Sequence, residues 1–463
     1  GTAATAAVGV NFSLDNIIMT AGSFLAVGAN SYIARLLGAR QDNKASQVLS
    51  TAFFTAIMTG STVMLLGFIF MDPLVKLLGA TGDVVAYSKD YASYILFAAP
   101  FMASNFVMNQ CLRSEGSAAY SMIGIVSGAI LNIALDPLFI FVFGMGVTGA
   151  AIATVIGQIV AMVLAFVLNQ TRNKELKVHL RGFRPKAGII KEIYRVGFPG
   201  IIMQAVGSAM VMAMNWILGP MSEVAVAVVG LYFKLQSFVF MPVFGLTGGL
   251  IAIVGYNFGA GNAKRIYETV RVDLYYAVGI MGLGTLLFWL APGLLMSLFD
   301  ATPDMLAVGI PALRIISIAF VMAAGGIILS TVFQAIGNGT LSLGISMVRQ
   351  FVVLLPAAYF LSEAFGILGV LWAIPLAEGR EETELDALPE GLAPAIEEVL
   401  DQVMDAFSDP PPGEAGRLLG DIYQMAAGFT AAVKRGLSNY APLCAKQGRE
   451  RLVRLLALSV AEH

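Results

Sequence analysis

The chain has 463 residues, of which 57% are hydrophobic and only 13% charged, and its mean hydropathy is +0.79. Length alone would allow about three soluble domains, but this composition excludes a soluble globular protein. It also excludes a disordered chain and a disulfide-stapled scaffold, since the only two cysteines, Cys111 and Cys444, stand in unrelated contexts. Charge is segregated: residues 1–376 hold 15 Asp/Glu and 20 Lys/Arg, residues 377–463 hold 15 and 8, so an apolar body of net +5 precedes an acidic tail of net −7.

In chain order, apolar stretches of membrane length run over 2–34, 46–71, 84–112, 117–143, 147–170, 187–218, 223–257, 266–291, 303–336 and 339–362, and an eleventh starts at 366 and is cut short at about 376. About 20 apolar residues cross a bilayer as a helix. Lipid leaves no partner for open backbone groups, so the expected class is an all-α polytopic membrane protein. A β-barrel would alternate over about ten residues. No cleavable signal peptide is visible, because the first stretch is too long and lacks a basic lead.

Short breaks holding Arg35, Arg40 and Lys44, then Arg113, then a basic run from Arg172 to Arg195, then Lys264, Arg265 and Arg271, alternate with breaks holding mainly Asp72, Asp83, Asp90, Glu223, Asp300, Asp304 and Glu363. The positive-inside rule puts the first set in the cytoplasm, residue 1 outside and the acidic tail inside.

An internal repeat organises the body. A shift of 221 residues carries Gly9 onto Gly230, Gly28 onto Gly249, Gly38-Ala39 onto Gly259-Ala260, Ala80-Thr81-x-Asp83 onto Ala301-Thr302-x-Asp304, and Gly116 onto Gly337; a shift of 220 carries Gly146-x-x-Gly149 onto Gly366-x-x-Gly369. Six spans separate the copies, so both have the same orientation. The sixth span opens the second copy and has no counterpart after Gly1, so the first copy reads as lacking its first helix. The expected organisation is an N-lobe of five transmembrane helices at 1–171, a basic cytoplasmic linker at 172–186, a C-lobe of six helices at 187–376 with the last truncated, and an acidic soluble helical tail at 377–463.

Histidine is too scarce for triad or histidine-metal chemistry, with only His179 and the terminal His463. Gly144-x-Gly146-x-x-Gly149 matches a dinucleotide fingerprint in spelling, but it joins two apolar stretches where a strand and a helix are required, and it reads as a tight turn. The chemistry-bearing group is Asp136, deep in the fourth span. An ionised carboxylate there costs about 2.5–3.5 kcal/mol on insertion scales, so such a residue is functional or paired. Asn132 lies on the same helical face, and Thr154 follows in the next span. The three make an oxygen set suited to a sodium ion, or to proton exchange on the carboxylate; the alternative is that Asp136 caps a break before Pro137. Asp15, Gln204, Asn215, Lys234, Gln236, Arg349 and Gln350 are further intramembrane polar residues that either line a substrate cleft or, for the amides, glue helices together. The 22 Met and 29 Phe suit an adaptable wall for varied ligands, and also suit lipid or core.

The run Asn132-Ile-Ala-Leu-Asp136-Pro137-Leu-Phe-Ile, with Thr154, Gly197-Phe-Pro-Gly200, Lys234-Leu-Gln236-Ser-Phe-x-Phe-Met-Pro242 and Arg349-Gln350, resembles the multidrug and toxic compound extrusion (MATE) transporters, of the branch common in bacteria and archaea, over residues 1 to about 376. The resemblance implies two pseudo-symmetric six-helix bundles facing across a cleft. It also implies export of cationic amphipathic compounds by antiport with sodium or protons, with no other cofactor and no enzymatic activity. In that family the positions matching Asn132, Asp136 and Thr154 line a cation site together with an Asp of a first helix that this chain does not contain. The expected protein is a monomer of the plasma membrane that meets lipid and small cations and binds no nucleic acid. A flippase for lipid-linked precursors, or a membrane receptor with a signalling tail, are the alternatives. The tail itself, with Ile396, Val399, Leu400, Val403, Met404 and Phe407 at helical spacing and a break at Pro410-Pro411-Pro412-Gly413, reads as either a foreign fused segment or a native regulatory domain.

Overall fold

A computed structural model describes residues 2–82, 84–173, 176–179, 186–299 and 301–378. All but the first two residues of the acidic tail, and most of the 172–186 linker, lie outside the described residues. Within them the chain is helical and contains no strand. The first copy comprises α1 (Thr2–Gly38), α2 (Asp42–Ile69), α3 (Met71–Leu77), α4 (Val84–Ser114), α5 (Ala118–Pro137) and α6 (Gly146–Arg172). The second comprises α7 (Ala187–Leu218), α8 (Glu223–Gly259), α9 (Ala263–Leu290), α10 (Pro292–Ser297), α11 (Pro303–Ser317), α12 (Ala319–Ala335), α13 (Gly339–Met347) and α14 (Leu355–Glu378).

The 221-residue shift superposes helix boundaries as well as letters: α1 and α8 are both 37 residues long, α2 and α9 both 28. Short α3 recurs as short α10, and one long α4 recurs as α11 and α12, bent by 44°. The paired breaks are paired turns, with Gly116 and Gly337 both at positive φ (80° and 91°), as are Gly146 and Gly366 (58° and 63°). Thr302 accepts a hydrogen bond from the Met305 N–H, so the second Ala-Thr-x-Asp break is a helix start. Among the described residues nine helices are long and apolar enough to cross a bilayer, ten with the bent pair counted as one span. The eleventh expected span is the 14-residue apolar segment Phe365–Glu378, set off by the non-helical Gly366.

Interior position is not shared equally. Of the most apolar stretch of α4, 72% is buried, and of α1, 61%, against 6% for α5, so α1 and α4 are the central posts and α5 lies at the periphery. One core gathers Leu25, Ile33, Leu49, Phe53 and Met108 around buried Cys111; Cys444 is outside the described residues. At the edge, Lys89 pairs with Asp72 of α3, and this partner holds the Asp72 carboxyl below its usual range.

The copies meet along the C-terminal halves of α1 and α8. A Cβ on Gly38 would lie 1.9 Å from the Tyr256 carbonyl oxygen, and one on Gly259 would lie 2.0 Å from the Arg35 carbonyl oxygen. Because 35 and 256 are themselves 221 apart, the contact reads the same from either helix, as a local twofold axis requires. Ser31 donates to the Gln334 and Ala335 carbonyls at 2.6 and 3.0 Å, and Arg35 pairs with Glu192 of α7 at 3.2 Å, closing the same end.

Candidate functional site

The sequence-level trio converges. Asn132 and Asp136 project from one face of α5, and Thr154 faces them from α6, with all three half-buried. Asn132 Nδ2 lies 3.5 Å from Asp136 Oδ1 and 3.4 Å from Thr154 Oγ1, both long for hydrogen bonds. Thr154 donates to the Ala150 carbonyl at 3.0 Å, leaving its lone pairs toward the site. The amide thus turns its nitrogen to the carboxylate. A bound cation requires the amide to turn over and offer Oδ1. Pro137 follows immediately, lacks an N–H, and leads into a π-helical turn at Leu138–Val142, a local departure of the kind that collects at functional sites.

Small residues make this approach possible. A Cβ on Gly128 would stand 2.7 Å from the Gly157 carbonyl oxygen, and one on Gly157 would stand 2.8 Å from that of Gly128 and 3.3 Å from Asn132 Cβ. Membrane helices lacking a hydrophobic drive between them associate through such close backbone contact. Gly157→Ala is expected to wedge α5 from α6, cost about 1–3 kcal/mol and pull Asn132 from Thr154. A lowered Tm together with a raised half-saturating cation concentration would register both effects.

Tyr91 of α4, which sequence reasoning missed, completes the cluster. It is only 6% exposed, its hydroxyl interacts with Thr154, and the carboxylates of Asp15 and Asp136 both act on it. Asp15 therefore lies beside the first-copy cluster.

In the second copy a cavity of about 70 Å³ is lined by Tyr232, Phe233 and Gln236 of α8, Arg349 and Gln350 of the π-helical turn Val348–Leu354, and Glu378. Arg349 Nη1 donates to Glu378 Oε2 at 2.9 Å, so the half-buried positive charge has its partner in a residue that the sequence alone assigned to the tail. Lys234 is exposed and outside this cavity, two residues from Gln236 and about 200° around the helix. Gln204 is also exposed and accepts from Thr20 at 3.0 Å, tying α7 to α1 as interhelical glue. Asn215 is half-buried on α7. Gly144 and Gly146, both at positive φ, form the tight turn expected in place of a nucleotide loop.

The MatE family profile matches residues 1–138 and 199–360. The chain belongs to the MATE family of transporters. It is 27% identical over 372 residues to the multidrug export protein MepA of Staphylococcus haemolyticus, covering 80% of this chain and 82% of that one. It is 27% identical over 373 residues to MepA of Staphylococcus aureus strain MSSA476, with the same shares. Among solved structures, a MATE transporter in the bent conformation superposes with a TM-score of 0.77 at 27% identity, covering 92% of this chain and 90% of that one. The outward-facing conformation of a multidrug resistance MATE transporter of the MOP superfamily gives 0.77 at 28% identity, covering 87% and 89%.

Proposed function

We propose that this MATE chain exports cationic amphipathic compounds across the plasma membrane by alternating access, in antiport with sodium or protons bound at Asn132, Asp136 and Thr154. One observation carries the reading: a carboxylate, an amide and a hydroxyl from two adjacent apolar helices converge to within 3.4–3.5 Å at a proline-induced π turn. No structural task for Asp136 at that depth explains it better, since among the described residues its side chain accepts one long hydrogen bond. The resemblance in multidrug export to the two MepA proteins supports the substrate class. In this reading the second-copy cavity, walled by Tyr232, Phe233 and Met210 and polarised by Gln236 and Gln350, contributes to the substrate wall. A flippase cleft would need free cationic side chains, whereas Arg349 is neutralised by Glu378. We place the lobes at 1–171 and 187–376, the linker and tail on the cytoplasmic side, and the working unit at one chain.

The test is efflux of ethidium from proteoliposomes under imposed gradients. Either an inward sodium gradient or an inward proton gradient should drive dye out against its own gradient, and collapsing that gradient with an ionophore should stop it. Dye movement indifferent to both gradients overturns cation coupling.

A further inference from the structure

The spelling Asn-x-x-x-Asp occurs twice in the first copy, as Asn11-Phe-Ser-Leu-Asp15 on α1 and Asn132-Ile-Ala-Leu-Asp136 on α5. Spacing of four puts each pair on one helical face. On α1 that face meets α4. Asn11 is fully buried, and its Nδ2 donates to the Ala7 carbonyl (2.9 Å), the Ser88 carbonyl (3.1 Å) and Ser88 Oγ (2.8 Å). Two of these acceptors are backbone carbonyls, which cannot donate, so the amide has only one admissible orientation. Its Oδ1 is thereby aimed away from them, and this oxygen is buried and has no donor among the described residues. One turn on, Asp15 Oδ1 is likewise buried with no donor among the described residues. Tyr91, one turn from Ser88 on α4, lies near enough to Asp15, Asp136 and Thr154 to interact with all three.

We propose that Asn11 Oδ1, Asp15 Oδ1 and the Tyr91 hydroxyl form a second station for a monovalent metal cation of the sodium class, joined through Tyr91 to the station at Asn132, Asp136 and Thr154. An amide oxygen, a carboxylate oxygen and a phenol oxygen are hard donors that suit such an ion; a proton would need the carboxylate alone. Buried acceptors are almost always satisfied, and here two of them, one helical turn apart on the same face of α1, have no donor among the described residues. The repeat supplies an internal comparison. Register carries Asn11 onto Tyr232, Asp15 onto Gln236 and Thr154 onto Ile374, three residues that line the second-copy cavity. The equivalent place in the fold is thus hollow, and in the second copy it carries a phenol, a neutral amide and an apolar side chain. At these three register positions only the first copy carries a carboxylate. The proposal rests on the coupling reading above and adds to it a second ion with its own carboxylate.

Equilibrium binding of radioactive sodium to the purified full chain, at fixed pH, should fall by one ion per chain in Asp15→Asn and by one in Asp136→Asn. Asp15→Asn should also remove the sodium-induced change in Tyr91 absorbance that Asp136→Asn only reduces. Full stoichiometry in Asp15→Asn alongside loss in Asp136→Asn overturns the second station and leaves the coupling site intact. Loss in Asp15→Asn with none in Asp136→Asn overturns the coupling site instead. If the wild type binds no sodium, the station is refuted even where proton-driven efflux persists. Should Asp15→Asn not fold, hydrogen exchange of the wild type decides: sodium must slow exchange in the α1 segment holding Asn11 and Asp15, and equal exchange with and without sodium overturns the station.

Discussion

Asp136→Asn should abolish gradient-driven efflux while folding and substrate binding survive. The change keeps shape and hydrogen-bonding capacity and fixes the group neutral, which imitates permanent occupancy by a cation. A ligand shifts a conformational equilibrium only by its differential affinity for the two states. A carboxylate that costs about 2.5–3.5 kcal/mol when ionised in lipid supplies such a difference, since a bound ion relieves the cost in one state. Folding should tolerate the loss because, among the described residues, the side-chain hydrogen bond given up is the long 3.5 Å approach of Asn132. Asn132→Ala and Thr154→Ala remove one neutral oxygen each and should weaken coupling by about tenfold or less, near the 0.5–1.5 kcal/mol of a single polar contact. Efflux from vesicles under imposed sodium or proton gradients, with dye binding measured in parallel, separates the outcomes. Full gradient-driven efflux by Asp136→Asn would move the coupling site elsewhere.

Magnitude also bears on how many carboxylates the cycle needs. Inverting a two-state population from 1:99 to 99:1 takes about 5.5 kcal/mol, roughly twice what one such carboxylate provides. A switch of that size would call for a second carboxylate of the same kind, the part that Asp15 has in the station proposed above.

What was legible in the sequence was what local spacing determines. The spans, their repeat and the Asn132–Asp136–Thr154 trio follow from runs of apolar residues, from constant offsets and from a four-residue helical step into the next helix. The short helices α3 and α10 were hidden because six or seven residues inside a polar break carry no periodic signal. Tyr91, Ser88 and the buried end of Asn11 depend on how α1 and α4 pack, which no local pattern encodes. Even so, the twin Asn-x-x-x-Asp spelling was available as a pointer to Asp15. Glu378 read as the first charge of the tail, yet α14 continues to it and Arg349 holds it. Lys234 and Gln236 looked alike as intramembrane polar residues, but a two-residue step on a helix sends them to nearly opposite faces.

Gly38→Val should disable the transporter through the closed end and not through any ligand site. With a Cβ already 1.9 Å from the Tyr256 carbonyl oxygen, the clash is with backbone, which cannot rotate away, so α1 and α8 must separate. The cost should exceed the about 1–3 kcal/mol of ordinary overpacking. Separation would also pull Ser31 from the Gln334 and Ala335 carbonyls and strain Arg35–Glu192. Because Gly259 meets Arg35 as Gly38 meets Tyr256, Gly259→Val should lower Tm and efflux to a similar degree, a symmetry that an unrelated defect would not reproduce. The pair Gly9 and Gly230 is the control: they are also 221 apart, but nothing lies within 4 Å of a Cβ at either. Gly9→Ala and Gly230→Ala should be neutral or gain up to about 1 kcal/mol from helix propensity. Thermal unfolding and dye efflux of the four variants, together with thiol labelling of a cysteine placed at Ser31, would read the result. If Gly38→Val keeps wild-type Tm, efflux and labelling, the α1–α8 contact is not part of the working cycle. If it fails while Gly259→Val does not, the contact lacks the twofold character on which the paired prediction depends.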